Sequence, residues 1–174
     1  MKQQKVNINT VGMWDSRYSG GLGRVFPYEV LYEIYLHKVK ASSVADYGCG
    51  LGLGINYLSE QPNFSDTTFY GLDFSSEAIN KAKGHEFIVA DFNQPNDYPK
   101  VDLALIVHTL EHVDNPLEFL EEVKKVSKKV VVAIPPETVP EGEHFSTFDL
   151  EDFKDVKEVL KAPGDTIIIM EGKL

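Results

Sequence analysis

A chain of 174 residues, 43% hydrophobic and 25% charged, is long enough for one globular domain with a sizeable core. Its net charge of −10 argues against nucleic-acid partners and anionic membrane surfaces, both of which call for a basic face. The lone Cys49 cannot close an internal disulfide, and the polar start from Met1 to Thr10 offers neither a signal peptide nor a membrane span, so a cytoplasmic setting is expected.

Residues 1–13 are polar and predict a loose arm. Trp14 and Tyr18 follow, beside Gly20 and Gly21, and serve either as a lid over a ligand or as an anchor of the arm to the core. The expected division is a single domain over 1–174, with 1–25 as arm or lid and 26–174 as core. Pro27 opens a predicted helix to about Lys40, with Val30, Leu31, Ile34 and Val39 as its apolar stripe.

The organising stretch is Ser43 to Gly52. A short apolar strand, Ser43 to Tyr47, breaks into glycines at 48, 50 and 52, and a helix resumes from about Leu53 to Leu58. A strand that turns so sharply into a helix leaves a crevice at its carboxyl end, where ligands of open α/β sheets bind. The pattern is Gly-x-Gly-x-Gly, and Ile55 stands where a dinucleotide fingerprint read from Gly50 needs its third glycine. Asp46 at the strand end would repel a pyrophosphate and attract an ammonium. Taken alone, the glycines could equally form a tight structural turn.

Thr68 to Asp73 predicts a second strand ending in an acid, followed by Ser75 as N-cap of a helix from Ser76 to Lys83. An acid at that place can accept both hydroxyls of a ribose, or simply cap the helix. Glu86 to Ala90 predicts a third strand, ahead of Asp91 and Phe92. The nearly all-apolar Val101 to Val107 suits a central strand buried on both faces. Beyond it, Asn115, Pro116 and Glu118 predict a capping box on a helix reaching about Lys128, with Leu117, Leu120, Val123 and Val126 inward. Lys129 to Ile134 predicts the fifth strand, and Glu137 to Ser146 a polar loop carrying His144. Asp149 to Phe153 suggests a short helix. Val156 to Ala162 and Thr166 to Gly172 flank Pro163-Gly164-Asp165 and predict a closing β-hairpin, with a helix over Leu150 to Lys161 as the rival.

Four features at successive strand ends, the glycine turn, Asp73, Asp91 and Leu110-Glu111-His112-Val113-x-x-Pro116, resemble the small-molecule branch of the class I S-adenosylmethionine-dependent methyltransferases, of the type 11/23 kind. The resemblance covers about residues 40–172. It departs from the family at Val126-Ser127-Lys128-Lys129, where a Lys-Pro-Gly-Gly turn is usual. It implies an α/β, Rossmann-like fold: a seven-stranded, mostly parallel sheet in the order 3-2-1-4-5-7-6, with helices on both faces. It also implies S-adenosylmethionine as cofactor, held by Asp46, Tyr47, Gly48, Cys49, Gly50 and Gly52 at the first strand, by Asp73 and Phe74 at the second, by Asp91 and Phe92 at the third, and lined by His108.

Methyl transfer from a sulfonium asks the protein to orient the acceptor and, for an oxygen, to take its proton. His108 and His144 are the candidate catalytic bases, while His112 reads as framework, and no metal-ligand spacing stands out. The expected function is methyl transfer to a small-molecule acceptor, at oxygen in preference to nitrogen. A silent cofactor-binding module is the alternative, and a nucleotide-dependent oxidoreductase is disfavoured by the glycine frame and Asp46.

Overall fold

The protein is represented by a computed structural model that describes residues 1–21, 23, 25–136, 140 and 142–174. Seven strands form one sheet: β1 (Ser43–Tyr47), β2 (Thr68–Asp73), β3 (Glu86–Val89), β4 (Val101–Val107), β5 (Ser127–Ile134), β6 (Val156–Ala162) and β7 (Asp165–Glu171). Their spatial order is β3-β2-β1-β4-β5-β7-β6. The first five are parallel, and β7 runs antiparallel between β5 and β6. The helices are α1 (Val11–Ser19), α2 (Phe26–Ile34), α3 (Leu53–Ser59), α4 (Ser76–Lys81) and α5 (Pro116–Lys125).

Successive residues of a strand face opposite sides, which splits the apolar runs into two cores. Val44, Leu103 and Leu105 pack with Tyr28, Leu31, Ile55 and Leu58 under α2 and α3. Ala45, Ala104 and Ile106 pack on the other face with Phe119, Leu120 and Val123 of α5. A sheet covered on both faces explains why β4 reads as a continuous apolar run. Because β1 lies between β2 and β4, the chain leaves its carboxyl end in one direction while the next neighbour stands on the other side. The resulting crevice is the site-forming feature of the fold.

Several local expectations are corrected. The helix after Pro27 stops at Ile34 instead of near Lys40, and a 3-10 turn over Leu36–Lys38 buries Tyr35 and Leu36 together. The amide of Asn63 takes up the carbonyls of Leu36 and Val39 there, at 3.0 and 2.6 Å. The Asn115 side chain makes no cap on α5, so the predicted capping box is absent. That helix ends at Lys125, and β5 starts at Ser127, earlier than Lys129. Phe119 fills the core in place of Leu117 and Val126, which are only partly buried. The closing hairpin forms. Its rival helix survives only as a 3-10 turn over Leu150–Asp152, because Ile167, Ile168, Ile169 and Met170 are buried by laying β7 along β5.

The N-terminal arm is not loose. Lys2–Gln3 pair antiparallel with Ser146–Thr147, and the amide side chains of Gln4 and Asn9 donate to the carbonyls of Gly142, Glu143 and His144. A segment without its own ladder is thus satisfied by another segment's amides. Residues 137–139 and 141 of the predicted polar loop lie outside the described residues.

Candidate active site

The glycine turn is built from backbone that other residues rarely adopt. Gly48, Gly50 and Gly52 have φ of 83°, 53° and 73°. The amides of Gly48 and Cys49 both donate to the Leu72 carbonyl, at 2.7 and 3.0 Å, which fastens the turn to the end of β2. Asp73, the last residue of β2, is almost fully buried and accepts from the amides of Gly50 and Ser75, each at 2.9 Å. The Tyr18 hydroxyl of α1 also acts on this carboxyl and lowers its pKa. Burial pushes the Asp73 carboxyl above its ordinary value, and these donors pull it back down.

Asp46 is fully buried beneath the turn. Its Oδ2 accepts from the Tyr28 hydroxyl at 2.7 Å, and its Oδ1 has no hydrogen-bond partner among the described residues. Burial raises its pKa to about 7, against the opposing effect of the Tyr28 bond. A folded-state value above the unfolded one stabilises the chain fully below about pH 4, and that contribution is lost as pH rises through 7. The ligand-free protein should therefore lose stability between pH 5 and 7.5 with a slope of up to one proton relative to Asp46→Asn. Urea unfolding of both proteins across that range measures it, and parallel curves would show that Asp46 is not the buried acid responsible.

Two adjoining cavities open at the carboxyl edge. The first, of about 560 Å³, is lined by Gly48, Asp73, Phe74, Asp91, Phe92 and His108, among others. The second, of about 880 Å³, lies on the other side of the turn and carries Arg17, Cys49, Glu111, His112 and His144. Trp14, Tyr18, Gly48, His108 and His112 line both, so the two form one cleft with α1 along its mouth. Trp14 and Tyr18 stand 5.9 Å apart there, and Trp14 meets His112 edge-on at 5.2 Å.

The structure gathers most of the residues that sequence singled out. Asp73, Phe74, Asp91, Phe92 and His108 share the first cavity; Cys49, Gly50, His108 and His144 share the second. Asp46, Tyr47 and Gly52 line neither. The ring of Tyr47 packs on the opposite side, among Phe92, Tyr98 and Phe119 at 5.2–6.0 Å. His108 sits at φ 50°, an uncommon backbone for a residue with a side chain, at the end of β4. Its Nε2 is 2.8 Å from Asp165 Oδ1, and its Nδ1 is 3.8 Å from Glu111 Oε1. Sequence reasoning missed Asp165 and Tyr28 as site residues, had Glu111 only as part of a motif, and had Tyr18 only as a lid or an anchor of the arm. Only the closing hairpin brings Asp165 to His108, and only α1 and α2 bring the two tyrosines to their acids.

An open, mostly parallel sheet with a glycine turn after its first strand and a buried acid ending its second places a ligand crevice at the carboxyl edge, as in open α/β proteins. Residues 45–133, just over half of the chain, match the methyltransferase domain family, and the chain belongs to that family. No curated protein matches it. Solved structures share the fold at low identity. A methyltransferase of Aquifex aeolicus, described as SAM-dependent, is 18% identical with a TM-score of 0.67, over 93% of this chain and 99% of that one. The magnesium protoporphyrin IX methyltransferase of Synechocystis, solved with bound SAM, is 14% identical with a TM-score of 0.62, over 92% and 91%. A chain from the complex of the Haloferax volcanii Trm112 methyltransferase activator with its methyltransferase is 21% identical with a TM-score of 0.53, over 70% of this chain. This chain spans 59% of that protein's length. No helix among the described residues is long and apolar enough to cross a membrane.

Proposed function

We propose that the protein transfers the methyl group of S-adenosylmethionine to an oxygen of a small-molecule acceptor. The observation that carries the reading is the cleft itself: a glycine turn with no side chain in the way, a buried carboxylate at the end of β2, and a histidine at the end of β4, all within one cavity. The cofactor supplies an electrophilic methyl on a sulfonium. The chain's own part would be to align an acceptor oxygen with that methyl and to take up the acceptor's proton.

The residues present fit that cofactor. Asp73 offers a carboxylate to the ribose hydroxyls. Phe74 and Phe92 supply apolar walls for the adenine, and Asp91 an acceptor for its amino group. The glycine turn lets the methionine moiety approach the backbone at Gly48, Cys49 and Gly50. The His108 ring stands in this cleft with Nε2 2.8 Å from Asp165 Oδ1. In this reading His108 takes the acceptor's proton and Asp165 positions it.

Two measurements test this. Calorimetry should show binding of S-adenosylmethionine and none of NAD; micromolar NAD binding without S-adenosylmethionine binding sinks the reading. With an acceptor found from a panel of small hydroxyl and carboxyl compounds, His108→Ala should lower turnover by about a hundredfold at saturating cofactor, within the usual range for general-base catalysis. Its cofactor affinity should stay within about threefold. A near-normal rate in that variant would reject the base while leaving the methyltransferase reading in place.

A further inference from the structure

We propose that Glu111, His112 and His144 form a divalent-cation site at the acceptor end of the cleft, suited to a first-row metal between Mn²⁺ and Zn²⁺. One ligand atom from each of the three lies within 4.8 Å of the others. They meet in the second cavity, which all three line.

The strongest argument is Glu111. Its side chain is 1% exposed, and neither carboxylate oxygen has a hydrogen-bond partner among the described residues. A buried carboxylate in that condition carries a large desolvation cost unless a cation or donors compensate it. Its neighbours are imidazole nitrogens at longer range: His108 Nδ1 at 3.8 Å and His112 Nε2 at 4.0 Å. No lysine or arginine ion pair to Glu111 is found among the described residues. A metal ion held between the carboxylate and the imidazoles would compensate it.

The second argument is the orientation of His112. Its Nδ1 is 2.8 Å from the Glu143 carbonyl. A carbonyl only accepts, so Nδ1 carries a proton, and Nε2 is the nitrogen turned toward Glu111. Ligating histidines are fixed in this way, with the far nitrogen donating to a carbonyl or carboxylate. The His144 ring lies 5.3 Å from that of His112. Its segment is held by the N-terminal arm, because Gln4 donates to the His144 carbonyl at 3.0 Å and Asn9 to the Glu143 carbonyl at 2.8 Å. Asn7 in turn donates to the His112 carbonyl at 2.9 Å. The nearby cation, Arg17, is paired with Glu143.

Two imidazoles and one carboxylate are a mixed set that suits first-row divalent cations and leaves coordination positions open. Metal–ligand bonds of about 2.0–2.2 Å require the three side chains to close by roughly an ångström, which rotamer changes of a partly exposed His144 can supply. The ion's open positions would face the cavity shared with His108. There it would bind an acceptor oxygen and ease loss of its proton, a role that rests on the methyltransferase reading, whereas the site itself does not.

The test uses Co²⁺ alone, without cofactor or acceptor, on chelator-treated full-length protein. Calorimetry should give one equivalent bound at micromolar or tighter affinity, with visible d–d absorption from nitrogen and oxygen ligation. His144→Ala and Glu111→Gln should each weaken binding at least thirtyfold, while His37→Ala, at an exposed histidine outside the cluster, should leave it unchanged. Should Glu111→Gln fail to fold, His144→Ala decides, since that residue lies in a partly exposed loop. Absence of binding at millimolar Co²⁺, or binding that persists unchanged in His144→Ala, overturns the site. S-adenosylmethionine calorimetry on the same metal-free protein is independent, so failure of the cofactor reading and failure of the metal site are told apart.

Discussion

Gly48→Ala should destabilise the fold by about 2–6 kcal/mol and abolish cofactor binding. The backbone contributes the first part. At φ 83° an L side chain costs on the order of 1–3 kcal/mol. Overpacking contributes the second, because an added Cβ would land on the Thr109 side chain, 2.6 Å from its Cγ2 and 2.8 Å from its Cβ. Thr109 cannot simply rotate away without cost, since its hydroxyl donates to the Val107 carbonyl at 3.1 Å and the residue is buried. Overpacking of a filled site costs about 1–3 kcal/mol more. The two parts separate in a double-mutant cycle. Adding Thr109→Gly to Gly48→Ala should recover the overlap portion and leave the backbone portion. Urea unfolding of the four proteins gives the numbers. A loss below about 1 kcal/mol in Gly48→Ala would mean that the turn relaxes freely and that the glycine is not required by shape.

Asp73→Ala should weaken S-adenosylmethionine binding by at least tenfold while the protein remains folded. A carboxylate that accepts two ribose hydroxyls contributes roughly 2–4 kcal/mol, taking charged hydrogen bonds at about 1.5–3 each with incomplete additivity. Asp73 also braces the turn through Gly50 and Ser75, so the variant's thermal transition must be measured beside its affinity. Tyr18 separates the two roles. Its hydroxyl acts on the Asp73 carboxyl, and a ribose hydroxyl would compete for the same oxygens. Tyr18→Phe should therefore retain or tighten cofactor binding, by up to about tenfold if one charged hydrogen bond is released. Unchanged affinity in a folded Asp73→Ala would reject the ribose role. Weakening in both variants would show that α1 holds the cofactor directly rather than yielding to it.

Much of the scaffold is written locally. The apolar run from Val101 to Val107, the break from Tyr47 into glycines, and the Pro163-Gly164 turn each restrict the backbone through neighbours in sequence, and strands and turns form where those residues place them. The order of the sheet followed from the family that the strand-end motifs resemble. The acids at 46, 73 and 91 and the histidine at 108 could be listed for the same reason, since residues at or just past the end of a strand lie near the carboxyl edge whatever the rest of the chain does.

What only the tertiary structure decided is which of those groups meet, and in what charge environment. Asp46 looked like a ligand-facing carboxylate, but it is buried beneath the turn with Tyr28 on one oxygen. Tyr47 follows it in sequence and so faces the other core. The amide-rich start looked like a loose arm because its donors have no local partners; their acceptors are carbonyls near residue 143, reached only when the chain has folded. Glu111 and His112 are adjacent in sequence, yet the third member of their cluster arrives on a distant loop, and Asp165 reaches His108 only through the antiparallel placement of β7. Backbone conformation answers to neighbours in sequence, whereas burial, pairing and the charge a carboxylate can keep answer to neighbours in space, which no spacing along the chain records.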